Sequence, residues 1–116
     1  MTDFLNGLAM ILTVGFGAFG LLFPRYTLSS LHLRTAETTM GLSEMRASVS
    51  GLFVVMGTAG FWLDTPLAYA MVGFAYAGAA LGRFLSLVLD SPPVGRVLVF
   101  GGIEAIMAAW LLAANF

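Results

Sequence analysis

Six ionisable side chains stand within, or at the ends of, long apolar stretches of this 116-residue chain: Glu44, Arg46, Arg83, Asp90, Arg96 and Glu104. A charge in hydrocarbon costs at least about 2.5–3.5 kcal/mol, so such groups turn toward one another or toward a polar path. Three kinds of chemistry suit carboxylates and guanidinium groups in that setting. An Arg–Glu pair between helices fixes register and partner choice. A row of ionisable groups conducts protons or anions. A guanidinium can hold the polar headgroup of a lipid or a quinone.

Spacing sharpens the list. Tyr69, Tyr76, Arg83 and Asp90 recur every seven residues and share one helix face. Arg83 lies seven residues before Asp90, about 10 Å from that helix end at a rise of roughly 1.5 Å per residue. Glu104 lies eleven residues after Pro93, about 16 Å from the same side. A difference of roughly 6 Å is within the reach of an arginine side chain, so an Arg83–Glu104 pair is expected. Arg46 joins from the cytoplasmic side and Tyr76 lines the path. Glu44, beside Ser43, sits where a helix N-terminus favours an acidic group. Glu44, Gly51 and Thr58 are also seven apart.

Other chemistry is missing from the sequence. With no cysteine there is neither a disulfide framework nor a thiolate metal site. The single histidine, His32, falls in a polar connection and reads as a surface residue. No span holds a histidine for haem, and no metalloprotease or nucleophile-elbow pattern is present. Gly15-Phe16-Gly17 lies inside an apolar span with no strand before it, so it is not a dinucleotide fingerprint. A net charge of −1 gives no footprint for nucleic acid. Catalysis would rest on carboxylate and arginine alone, so neither an enzyme nor a cofactor is expected.

The elements that must position these residues follow from composition. Apolar residues make up 59% of the chain and charged residues 9%, against about 25% charged in ordinary soluble domains. Spans of about 20 apolar residues cross a bilayer as helices. Four occur, at 4–23, 43–63, 67–90 and 94–115, giving one all-α domain over 1–116: an integral membrane bundle of four transmembrane helices. Pro24, Pro66, Pro92 and Pro93 all fall between the spans, where a residue without a backbone N–H does least harm. The first span follows an acidic Met-Thr-Asp lead and reads as a retained helix rather than a signal peptide. The polar connection 24–42 lies at the membrane surface, and the other two connections are tight enough to make neighbouring helices antiparallel. Arg25, Arg34 and Arg96 flank the first and third connections, with Arg46 and Arg83 in the adjoining helix halves. The positive-inside rule puts those connections in the cytoplasm and both termini on the periplasmic side, with Trp62 and Trp110 toward the outer interface.

Small residues recur every four positions at Ala9, Thr13 and Gly17, at Gly78, Gly82 and Ser86, and at Gly101, Ala105 and Ala109. Such stripes let helix backbones approach closely. Internal packing is the first explanation for them. The charge-free first helix, through Ala9, Thr13 and Gly17, is the best candidate for a contact outside the chain.

At its charged positions the sequence resembles the small bacterial four-helix membrane proteins grouped as domain of unknown function 4345. The resemblance rests on Glu44-Met45-Arg46-Ala47 with Gly51 just after, on Gly82-Arg83 followed by Asp90, and on Glu104. That family often has paired glycines where this chain has Ser50-Gly51. The resemblance implies a bacterial inner-membrane protein and no particular activity. The expectation is a non-enzymatic accessory subunit or assembly partner, bound to other membrane subunits or to copies of itself. Its rivals are a small transporter or proton-coupled carrier, and a protein that binds lipid or quinone.

Overall fold

The computed structural model describes residues 2–34 and 36–116. Met1, from the acidic lead, and Thr35, from the polar connection, lie outside the described residues. The described regular structure is helical throughout, with no strand. In order it comprises α1 (Thr2–Leu22), α2 (Pro24–Ser30), α3 (Met40–Arg46), a π-helical turn (Ala47–Gly51), α4 (Leu52–Leu63), α5 (Pro66–Leu89) and α6 (Val94–Asn115). Four stretches are long and apolar enough to cross a membrane: Asp3–Leu22, Met40–Leu63, Pro66–Leu89 and Val94–Asn115. The second begins at Met40 rather than at residue 43, and the other bounds agree with the expected spans within a residue.

Two compact units emerge, Asp3–Trp62 and Leu63–Phe116. In the first, α1 runs antiparallel to Met40–Leu63. Gly7 faces Phe61, Gly57 faces Met10 and Val14, and Gly17 and Gly20 face Ser50. The contacts are tight. A Cβ on Gly17 would lie 2.6 Å from the Ser50 carbonyl oxygen and 2.8 Å from Val54 N. A Cβ on Gly20 would overlap Ser50 Oγ. The π-helical turn produces this fit. It adds one residue to a turn, and that residue rotates the rest of the helix by about 100°. Ser50 is thereby fully buried, and its hydroxyl donates to the Met45 carbonyl at 2.6 Å. The extra residue also breaks the seven-residue phase between Glu44 and Gly51.

The connection 24–42 is more ordered than its weak periodicity suggests. Pro24 starts α2, where its missing N–H leaves nothing unpaired. The helix closes on His32, at φ 58°. His32 N donates to Ser29 O and Leu33 N to Leu28 O, at 3.0 and 2.8 Å. This is a Schellman closure with a histidine in the left-handed position that glycine usually takes. The remainder of the connection runs into α3, which starts after Thr39.

In the second unit α5 and α6 form an antiparallel pair, with Gly73 against Leu111 and Leu112 near one end and Gly101 against Phe84 nearer the other. Thr65 caps α5 by accepting from Ala68 N at 3.2 Å, and Pro66 supplies the first helical residue. Asp64, at φ 47°, accepts from the Tyr69 hydroxyl at 2.5 Å and closes the turn. Buried positions alternate small residues, Ala70, Gly73, Ala80, Gly101 and Ala108, with larger ones, Tyr69, Val72, Tyr76, Val97, Met107 and Leu111. Large apolar side chains, among them Phe16, Val55, Leu81, Val88 and Ile106, are exposed. Thin seams inside and bulky aliphatics outside are what helices in hydrocarbon require.

Substituting alanine for Gly17 or Gly20 is expected to lower stability in detergent by about 1–3 kcal/mol, because α1 must back away from the π-helical turn. Alanine for Gly15, where a Cβ would meet nothing within 4 Å, is expected to be neutral or mildly stabilising. Thermal unfolding of the three variants checks this.

Candidate functional site

The charged centre of the second unit is built from neighbouring turns of α5 and α6. Gly101 leaves space on α6: a Cβ there would lie 2.9 Å from Phe84 Cζ and 3.4 Å from Arg83 Cδ. The arginine stem therefore lies close along α6, and its guanidinium carbon stands 5.5 Å from the centre of the Phe100 ring. Arg83 Nε donates to Glu104 Oε1, forming the ion pair that the depth arithmetic requires. Glu104 is 12% exposed and Arg83 34%. The carboxylate is thus largely enclosed, while part of the guanidinium faces outward. Such a pair removes the need to place a lone charge in hydrocarbon, and it sets the axial register of α5 on α6.

The other expected members of the cluster lie elsewhere. Arg46 belongs to the first unit, where its Nη1 donates to Leu21 O at 3.1 Å. It meets one of the carbonyls that α1 leaves without a helical partner, a favourable place for a cation. Glu44 is exposed and lies a turn inside α3, because the helix starts after Thr39 rather than at Ser43. It is therefore not an N-terminal carboxylate. Asp90 ends α5 and accepts from Ser86 Oγ at 2.9 Å. Tyr76 shares the Arg83 face and is 2% exposed, part of the core of α5. Arg96 is exposed on the first turn of α6.

The small-residue stripes divide between interior and surface: the first is packed internally, as the first explanation has it, and is not the outward contact that the first helix was a candidate for. Ala9, Thr13 and Gly17 are buried, with Gly17 packed on Ser50, Phe53 and Val54. They are an internal seam, so the first helix does not offer that face to a partner. Gly78 and Gly82 are exposed, with nothing within 4 Å of a Cβ at either. Four-residue spacing identifies a smooth strip on a helix, but not which way it faces. Trp62 is exposed, as an interfacial tryptophan would be. Trp110 Nε1 is buried without an acceptor among the described residues.

A second polar grouping goes beyond the expected cluster. Arg25, Ser29 and His32, at positions i, i+4 and i+7 of α2 and its closing turn, line a cleft with Arg34. That spacing is the signal by which the sequence could have revealed it. Among the described residues no three His, Cys, Asp or Glu side chains converge as a metal site would need.

Glu104→Gln is expected to destabilise the chain by about 2–3 kcal/mol, since it leaves the arginine charge uncompensated. The double variant Arg83→Met, Glu104→Leu is expected to recover most of that loss. A double-mutant cycle on unfolding in detergent checks both.

Against this geometry, comparison with family models, curated proteins and solved structures finds no match for the chain.

Proposed function

We propose that this chain is a multi-pass protein of a bacterial inner membrane that acts as a non-enzymatic accessory subunit or assembly partner of a larger membrane complex. Its four spans would form one bundle, with residues 24–42 and the α5–α6 connection in the cytoplasm, following the arginine distribution. The resemblance to the domain of unknown function 4345 proteins agrees with this placement.

The observation that carries the reading is the exposed pair Gly78 and Gly82. In an apolar helix, small residues four apart make a smooth strip on which another helix can lie closely. Here that strip has no neighbour within 4 Å of either Cβ position. The polar groups add support. Arg83 is tied to Glu104, Arg46 to the end of α1, and Asp90 to Ser86. These interactions hold helices or helix ends.

One observation favours a second reading. A third of the Arg83 side chain is exposed while its partner is enclosed. A small transporter or proton-coupled carrier would use that opening, as would a site for a lipid or quinone headgroup. Flux in liposomes that Glu104→Gln abolishes would mark the former, and a co-purified ligand lost on Arg83→Ala the latter.

Native mass spectrometry of the chain, extracted from its own membranes in mild detergent, is the direct test. The accessory reading expects other polypeptides in stoichiometric amounts, lost on Gly82→Leu while the chain itself stays folded. A lone chain, or partners indifferent to Gly82→Leu, would overturn it.

A further inference from the structure

The cleft beside α2 has the chemistry of an anion site. Its volume is about 640 Å³, and it is lined by Arg25, Leu28, Ser29, His32, Leu33 and Arg34. That volume falls within the range of small-ligand sites, roughly 300–1,000 Å³. Two guanidinium groups, a hydroxyl and an imidazole face a common space above two leucines. No carboxylate occurs between residues 24 and 34. Among the described residues, neither Arg25 nor Arg34 makes a hydrogen bond or an ion pair through its side chain. The cationic charge of the cleft is therefore not neutralised by any described residue.

The backbone provides an independent observation. His32 closes α2 at φ 58°, a conformation in which the Cβ of an L-residue crowds the following carbonyl oxygen. Glycine would close the helix without strain, yet this position carries an imidazole, and that imidazole lines the cleft. A strained residue whose side chain enters a polar site points to a role for the side chain. The surroundings point to where the ligand resides. Phe23 and Tyr26 are exposed beside the cleft, as is Leu33 in its wall, and α2 directly follows an apolar helix long enough to span a membrane. An amphipathic segment of this kind lies at the headgroup level, with apolar side chains in the acyl region.

We propose that Arg25, Ser29, His32 and Arg34 form a binding site for the phosphate of an anionic phospholipid in the leaflet that α2 contacts. Guanidinium groups bind phosphate oxygens through paired N–H donors, and the serine and histidine supply further donors. Leu28 and Leu33 meet the glycerol and the start of the acyl chains. The proposal rests on the reading of the four helices as membrane spans, but not on the accessory-subunit role.

The test uses the full chain in neutral detergent, titrated with phosphatidylglycerol and with phosphatidylcholine, and native mass spectrometry to count lipid bound. The readout is the ratio of the two within one sample, so partial misfolding affects both alike. The expected result is a clear preference for phosphatidylglycerol. That preference falls about 25-fold in the double variant Arg25→Gln, Arg34→Gln, at roughly fivefold per arginine. It is unchanged in Arg96→Gln, which removes a cation outside the cleft. No preference, or equal loss in Arg96→Gln, overturns the site. Displacement by millimolar inorganic phosphate overturns the lipid as its source. Recovery of the chain in buffer without detergent overturns the membrane reading itself, an outcome distinct from unselective lipid uptake by protein in micelles.

Discussion

A helix that is apolar all round gains little by exchanging lipid neighbours for another such helix. Whatever holds this chain together must come from contacts that hydrocarbon cannot supply. Two kinds are present. One is close packing, where Gly17 on α1, Gly57 on α4 and Gly73 on α5 admit a partner helix to distances that a Cβ would crowd. The other is polar pairing, where the Arg83–Glu104 bridge and the Arg46–Leu21 hydrogen bond satisfy groups that would otherwise stand alone. Each unit has a version of both. The exposed leucines, valines and phenylalanines contribute to neither, and their place on the outside follows from the same constraint.

The parts of this architecture legible in the sequence are those governed by length. A helix rises by a constant amount per residue, so proline positions and apolar run lengths place the spans, and counting from the helix ends puts Arg83 and Glu104 within reach. The parts hidden from the sequence are governed by phase. Glu44, Gly51 and Thr58 keep a heptad spacing that the π-helical turn breaks, and nothing in Ala47–Gly51 announces an extra residue. Likewise Ala9-Thr13-Gly17 and Gly78-Gly82 have the same spacing but opposite exposure. Orientation around a helix axis depends on the neighbour, and one chain's pattern does not name that neighbour.

The polar residues then fall into two groups. Arg83, Glu104, Arg46 and Asp90, in or at the ends of the spans, are engaged with other parts of the chain. Arg25 and Arg34, in and just after α2, line a cleft and have no side-chain partner among the described residues. Their grouping comes from a seven-residue helix and a Schellman closure, features too short for hydrophobic periodicity to reveal. The residues whose types most suggest chemistry are therefore largely paired within the chain. His32, an ordinary surface residue by sequence, occupies the most deliberate backbone position in its segment.

Glycine and the left-handed conformation are separated in this molecule. His32, Asp64 and Ser91 take the positive φ values among the described residues, and no described glycine does. Glycine serves here as an absence of bulk and not as a source of backbone freedom. The usual map of mutational sensitivity is thereby inverted. A single-base change from a glycine to an alanine codon, harmful at the turns of most soluble proteins, would here leave every turn intact and injure only the seams between helices. Selection on this gene should therefore read as a helical rhythm of tolerated and forbidden glycine replacements, with the connections silent.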